Sequence, residues 1–170
     1  MIIALDIDDV CLALMDSWLS FYNKDFEDHL IENVIDDWDI RKFVKPNAQT
    51  AIYEYINEPN VFSNAKPVLG ALDCVNYLKS LGHRIIYVTA NNPDECKQEW
   101  LKKWGFLQDN KDFVQAYDKS LILADILLDD RYENARDFNG TGYLFTRPWN
   151  KKYDYSFRVD NWDDFIREIV

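Results

Sequence analysis

Two apolar runs in this chain end abruptly in acids. Ile2-Ile3-Ala4-Leu5 leads into Asp6-Ile7-Asp8-Asp9, and Ile126-Leu127-Leu128 leads into Asp129-Asp130. Runs of this length suit strands buried on both faces of a parallel sheet. Acids at the carboxyl ends of such strands lie where open α/β sheets bind ligands. Brought side by side, these carboxylates repel one another unless a cation lies between them. A hard cation with oxygen ligands, Mg²⁺, is the expected resident. Asp6 and Asp8 are two residues apart, so on an extended chain both project to one side. One can then attack phosphorus while the other handles protons, the division of labour that phosphate-ester hydrolysis needs. The plainer readings are a strand end with a turn for Asp6 and Asp8, and a helix N-terminal acid pair for Asp129 and Asp130.

Thr89 follows the apolar run Ile85–Val88, and Ala90-Asn91-Asn92-Pro93 leads on to a helical pattern. A hydroxyl and free backbone N–H groups at a helix start form an anion site. An ordinary N-cap would use the same residue types. Lys119, in Tyr117-Asp118-Lys119-Ser120, precedes the second acid-ended run. If it reaches the crevice it offsets charge on a phosphate and on the nucleophile. Read alone, it is a solvated surface lysine.

The elements that must position these residues alternate. Ile2–Ile7 reads as a strand, and Leu12–Tyr22 carries helical spacing through Leu12, Met15, Leu19 and Tyr22. From about Lys24 to Asn64 the rhythm breaks into acids, aromatics and helical patterns around Ala48–Ile56, with no buried strand. Alternation resumes with Pro67 at the first turn of a helix over Val68–Leu81, with Gly82 just past its end. Then come a strand at Arg84–Val88, a helix at Pro93–Trp104 closed by Gly105, and a short strand at Asp112–Ala116. Leu121–Leu128 supplies the acid-ended strand. Arg131–Phe138 is helical, Gly142–Phe145 is a strand, and Asn161 or Asp160 caps a terminal helix over Trp162–Val170. This order predicts an α/β fold, a Rossmann-like parallel sheet with helices on both faces. A small helical cap is inserted after the first strand. The division expected is a core of residues 1–15 and 65–170 with a cap of residues 16–64.

The chain has 170 residues, 48% hydrophobic and 15% aromatic, enough for a sizeable core and too aromatic for disorder. Its net charge of −11 argues against nucleic acid polymers, which need a basic footprint. A small anion is still admissible, because one cation and a few local donors override the global sign. Cys11, Cys74 and Cys96 form no CxxC pair. The odd cysteine count, and an opening run too short for a signal peptide, predict reduced thiols in a cytoplasm. No stretch reaches membrane-spanning length. His29 and His83 take no catalytic role. The oligomeric state is left open, homodimer included.

Acid pair, hydroxyl, lysine and acid pair occur in that order, each at a strand end or just before one. As a set they resemble the haloacid dehalogenase superfamily of aspartate-nucleophile phosphatases, with Asp6-Ile7-Asp8-Asp9-Val10, Thr89, Lys119 and Asp129-Asp130 as the four motifs. The stretch from Asp118-Lys119-Ser120-Leu121 to Leu128-Asp129-Asp130-Arg131 is similar, more narrowly, to the 5′(3′)-deoxyribonucleotidase family. So is Leu144-Phe145-Thr146-Arg147-Pro148-Trp149-Asn150. The resemblance implies that Asp6 is the nucleophile and a Mg²⁺ ligand. It makes Asp8 the general acid, then base, with its carbonyl on the metal. Thr89, Ala90 and Lys119 hold the phosphoryl group. Asp130 binds Mg²⁺ directly and Asp129 from an outer shell. Asp9 stands where many relatives have Gly, which makes the loop tighter or more acidic. In the cap, Trp38 and Phe43 could stack on a base, worth about 1–3 kcal/mol, or could form the cap's own core. The function implied is Mg²⁺-dependent hydrolysis of a nucleoside monophosphate, with a deoxyribonucleotide expected. The alternatives are a phosphatase for another small phosphoester, such as a sugar phosphate, and a non-catalytic binding protein of the same fold.

Overall fold

The computed structural model describes residues 1–90 and 94–170. The expected Asn91-Asn92-Pro93 entry to the second core helix lies outside the described residues. Strands β1 (Ile2–Asp6), β2 (Arg84–Thr89), β3 (Phe113–Gln115), β4 (Ile126–Asp129), β5 (Thr141–Phe145) and β6 (Arg158–Val159) form one parallel sheet in the order β3-β2-β1-β4-β5-β6. The chain winds outward from β1 to β3, then returns to the other side of β1 for β4. That reversal makes the β1/β4 boundary the switch point, where open sheets bind ligands.

The side chains alternate as strand geometry requires. Ile3, Leu5, Ile85, Tyr87, Ile126 and Leu128 enter the large core. Helices α1 (Leu14–Phe26), α3 (Ala71–Ser80), α4 (Asp94–Lys103) and α6 (Trp162–Ile169) contribute to that core. Ala4, Ile86, Val88 and Leu127 face a smaller core closed by Phe138, just past α5 (Tyr132–Asp137). Burial on both faces is why the strands read as continuous apolar runs. Asn161 caps α6, accepting from the Asp164 N–H at 2.9 Å.

Residues 24–64 hold no strand. Past the end of α1 at Phe26 they form short 3₁₀ turns and helix α2 (Pro59–Asn64). This segment hangs on α1, where Trp18 Nε1 donates to the Ile52 carbonyl at 2.7 Å and Ser17 Oγ to that of Val61 at 2.6 Å. Its two chain crossings are tied side by side, since Ala13 N–H bonds the Lys66 carbonyl and Val68 N–H bonds that of Cys11.

That tie corrects one expectation. Pro67 bridges Leu12 instead of opening a helix, and α3 starts only after Gly70, whose φ of +82° turns the chain. A second correction concerns Leu121–Leu128. The strand is only Ile126–Asp129, because the pairing with β1 covers Ile126 to Leu128 alone. Upstream, Lys119–Leu121 is a 3₁₀ turn capped by the Asp118 carboxylate, and Leu121 and Leu123 point to solvent. Strand β6 has no counterpart in the sequence reading. Cys11, Cys74 and Cys96 are free thiols. Among the described residues no helix is long and apolar enough to cross a membrane.

Candidate active site

The sheet register builds the centre of the site. Leu5 of β1 pairs with Leu128 of β4, so the next residues along, Asp6 and Asp129, end neighbouring strands roughly 4.8 Å apart. Oxygens of Asp6, Asp129 and Asp130 lie within 4.8 Å of one another, and all three residues are buried. The 3₁₀ turn at Lys119 swings its side chain into this group. Only 2% exposed, its ammonium bonds Asp129 Oδ2 at 2.6 Å and pairs with Asp6 Oδ1. Three carboxylates against one ammonium leave two negative charges.

The electrostatics follow from that imbalance. Burial pushes the Asp6 carboxyl up to about 7; Lys119 opposes the shift, and Asp129 and Asp8 reinforce it. Burial and then the charges of Asp6 and Asp129 push Asp130 well above the usual carboxylate range. Burial disfavours the Lys119 ammonium, yet Asp129 and Asp6 outweigh it and hold its pKa above the ordinary lysine value. An all-oxygen donor set that carries two uncompensated negative charges once ionised fits a hard divalent cation.

The two acids of the fourth motif are held differently. The Asp129 carboxylate accepts from Lys119, the Arg131 N–H at 2.8 Å, and Asn134 Nδ2 at 3.1 and 3.2 Å. Asp130 receives one hydrogen bond, from Trp149 Nε1 to Oδ2 at 2.8 Å, among the described residues. Asp129 is saturated by protein donors, whereas Asp130 keeps an oxygen for a ligand.

Asp8 and Thr89 are joined by a group absent from the sequence reading. Lys97, on α4 and 1% exposed, bonds Asp8 Oδ2 at 2.6 Å and Thr89 Oγ1 at 2.8 Å. The other oxygen, Asp8 Oδ1, is buried without a hydrogen-bond partner among the described residues. Asp9 adopts φ +56°. A short polar side chain tolerates this left-handed conformation better than most, and glycine adopts it freely. The Asp9 carboxylate caps α1, accepting from the Met15 N–H at 2.8 Å, and burial pushes its pKa up to about 8.

Asp6, Asp8, Ala90, Lys119, Asp129 and Asp130 all line one open cleft, and Trp38, 47% exposed, lines it too. Trp38 stacks on Trp149, with centroids 5.8 Å apart and planes at 20°. Thr89 sits behind the cleft wall, 1% exposed and held by Lys97. Phe43 does not line the cleft. It packs against the large core, so the structure does not place it for stacking on a substrate.

A sequence model described as "5′ nucleotidase, deoxy (Pyrimidine), cytosolic type C protein" matches residues 1–170. The chain belongs to this family. It is thereby a phosphoric monoester hydrolase of the 5′-nucleotidase type. It is 29% identical over 172 residues to the 5′(3′)-deoxyribonucleotidase of Bacillus subtilis (strain 168), covering 99% of this chain and 98% of that protein. It is 30% identical over 163 residues to the 5′(3′)-deoxyribonucleotidase of Clostridium acetobutylicum, covering 94% of this chain and 89% of that protein. A solved structure titled hydrolase, haloacid dehalogenase-like family protein, from Streptococcus pneumoniae superposes with a TM-score of 0.62 at 12% identity. The match covers 99% of this chain and 98% of that one, a likeness of fold.

Within the family frame, the groups missed at the sequence level are Lys97, Asn134 and the role of Trp149, whereas the left-handed Asp9 was signalled by its place where relatives have Gly. Lys97 lies in a charged helical stretch, Asp94-Glu95-Cys96-Lys97-Gln98-Glu99, that reads as a solvated face. Nothing in its spacing marks it as buried. Trp149 was visible only as part of a resembling tail.

Proposed function

We propose that the protein is a Mg²⁺-dependent phosphatase for nucleoside monophosphates, with deoxyribonucleotides preferred, and that it works through a phosphoryl group carried on Asp6. The observation that carries this reading is the buried Asp6, Asp129 and Asp130 cluster around Lys119, open to a cleft under Trp38. The substrate class is supported by relatives named 5′(3′)-deoxyribonucleotidase along nearly the whole chain.

Asp6 and Asp130 would hold the metal with the carbonyl of Asp8, and Asp129 would act from behind through Lys119 and Asn134. When bound, the cation neutralises phosphoryl oxygens and keeps Asp6 ionised. Asp6 attacks phosphorus while Asp8 gives a proton to the departing ribose oxygen. Asp8 then removes a proton from the water that hydrolyses the acyl phosphate. Lys97 fixes one oxygen of Asp8 and leaves the other to exchange that proton. Lys119 and the Ala90 backbone receive the phosphoryl oxygens, and Thr89, expected to share that role, stands behind them on Lys97. Residues 16–64 serve as the cap over a core of 1–15 and 65–170, and Trp38 offers a ring to the base. Free thiols suit a cytoplasmic enzyme.

Hydrolysis rates for dUMP, dTMP, UMP and glucose 6-phosphate, with Mg²⁺ and with EDTA, test the reading. Metal-dependent turnover, fastest on the deoxynucleotides, is expected. A preference for glucose 6-phosphate would overturn the nucleotide assignment, and full activity in EDTA would overturn the metal's role.

A further inference from the structure

We propose that Trp149 is a positioning residue that sets the orientation of Asp130 toward the metal and couples it to the cap through Trp38. The inference rests on the metal-dependent reading above. Carboxylate torsions are broad and roughly two-fold, so a buried aspartate needs a donor to hold one orientation. Asp129 has Lys119, Arg131 and Asn134 for this. The Asp130 carboxylate has one donor among the described residues, the Trp149 indole N–H at 2.8 Å on Oδ2. The neighbouring Asn150 bonds the Asp130 carbonyl at 2.7 Å and that of Phe145 at 2.8 Å, so it fixes the backbone but not the carboxylate.

The same indole has a second contact. Its face lies against Trp38, which stands on the cap segment and is half exposed at the cleft mouth. One ring therefore touches both the acid that meets the metal and the ring that meets the substrate's base. Arg147, two residues away, ties the same strap to the loop after β1 and to the cap, through the Asp9 carbonyl at 2.7 Å and Glu32 Oε1 at 3.1 Å. The Thr146–Asn150 strap thus joins the cap to both acid-bearing loops. A cap displaced from this seat pulls Trp149 from Asp130, and a seated cap holds the metal ligand in place.

The test is Mg²⁺ titration of the metal-free protein by calorimetry, beside thermal melts in EDTA that verify folding. Trp149→Phe keeps a ring for Trp38 and deletes the N–H. It should weaken Mg²⁺ binding by about 10–100-fold, the usual cost of losing an outer-shell partner. Turnover should recover when Mg²⁺ is raised to saturation, a split that a purely structural defect would not produce. Trp38→Ala, at a half-exposed position that should not threaten folding, should weaken Mg²⁺ binding by a smaller factor. A folded Trp149→Phe protein with wild-type Mg²⁺ affinity overturns the proposal. Unchanged Mg²⁺ affinity in Trp38→Ala overturns the coupling to the cap, and it decides the matter if Trp149→Phe does not fold. A wild-type protein that binds no Mg²⁺ overturns the underlying metal reading, and this inference with it.

Discussion

Replacing Lys119 by Met removes the one buried cation that, among the described residues, touches both Asp6 and Asp129. Its side chain is 2% exposed, that of Asp129 is 0% exposed, and the separation is 2.6 Å. Taking one partner from a buried ion pair costs about 3–5 kcal/mol, because the remaining charge is left uncompensated. For a domain of this size each kcal/mol moves Tm by about 2–4 °C, so Tm in EDTA should fall by about 6–20 °C. The loss should depend on pH. Asp6 already titrates near 7, above its ordinary value of 3.8, so the folded protein holds a proton that the unfolded chain has released. For such a raised acid, stability is present at low pH and is lost as pH rises through the folded pKa. Without Lys119, which opposes its shift, Asp6 rises further. The deficit should therefore be largest near pH 8 and shrink near pH 5, where protons replace the missing cation. Mg²⁺ should restore more Tm to the variant than it adds to the wild type, since bound cation supplies the lost positive charge. Differential scanning calorimetry at both pH values, with and without Mg²⁺, checks this. A folded Lys119→Met protein melting within about 2 °C of wild type at pH 8 in EDTA would refute the reasoning.

Four further outcomes follow from the same geometry. Asp6→Asn should abolish turnover, yet its melt in EDTA near pH 8 should match or exceed wild type, because a neutral amide replaces a buried acid that resists ionisation; measurable turnover by the folded variant would sink the nucleophile assignment. Asp8→Asn should slow turnover by about 10²–10⁴-fold with little change in Mg²⁺ affinity by calorimetry, and a collapse of affinity with a normal rate at saturating metal would contradict the proton-transfer role. Mg²⁺ should support activity and Ca²⁺ should inhibit, since Ca²⁺ takes more ligands at longer distance and can engage both oxygens of Asp6; equal rates with the two ions would count against it. At saturating Mg²⁺, Trp38→Ala should raise KM for dUMP by about 5–150-fold, the equivalent of about 1–3 kcal/mol of base stacking, and leave KM for p-nitrophenyl phosphate nearly unchanged.

The core was legible where its signals are local. Ile2–Leu5 and Ile126–Leu128 are apolar on both sheet faces, so their periodicity identifies them without knowledge of their partners. Leu121–Leu128 misled because Leu121, Ile122 and Leu123 extend the apolar run, although no neighbouring strand pairs with them. The Asp118 carboxylate instead bends the chain at Ser120, and that bend delivers Lys119 to the site. Pro67 misled for a related reason, since pairing with Leu12 outweighs its preference for a helix start. Strand β6 is two residues at a sheet edge, too short to leave a periodic signal.

By itself the sequence determined the parallel sheet, the acids at its strand ends, and the order of acid pair, hydroxyl, lysine and acid pair, because those depend on a few neighbouring residues at a time. Only the tertiary structure decided which donors hold those acids. Lys97 meets Asp8 across 89 positions, Trp149 meets Asp130 across 19, and Trp38 meets Trp149 from the other side of the chain. It also packed Phe43 against the core and left Trp38 at the cleft. Such contacts are set by how α4, the strap after β5 and the cap pack together. A side chain's hydrogen-bond partner and burial are properties of that packing, and no local spacing in the chain encodes them.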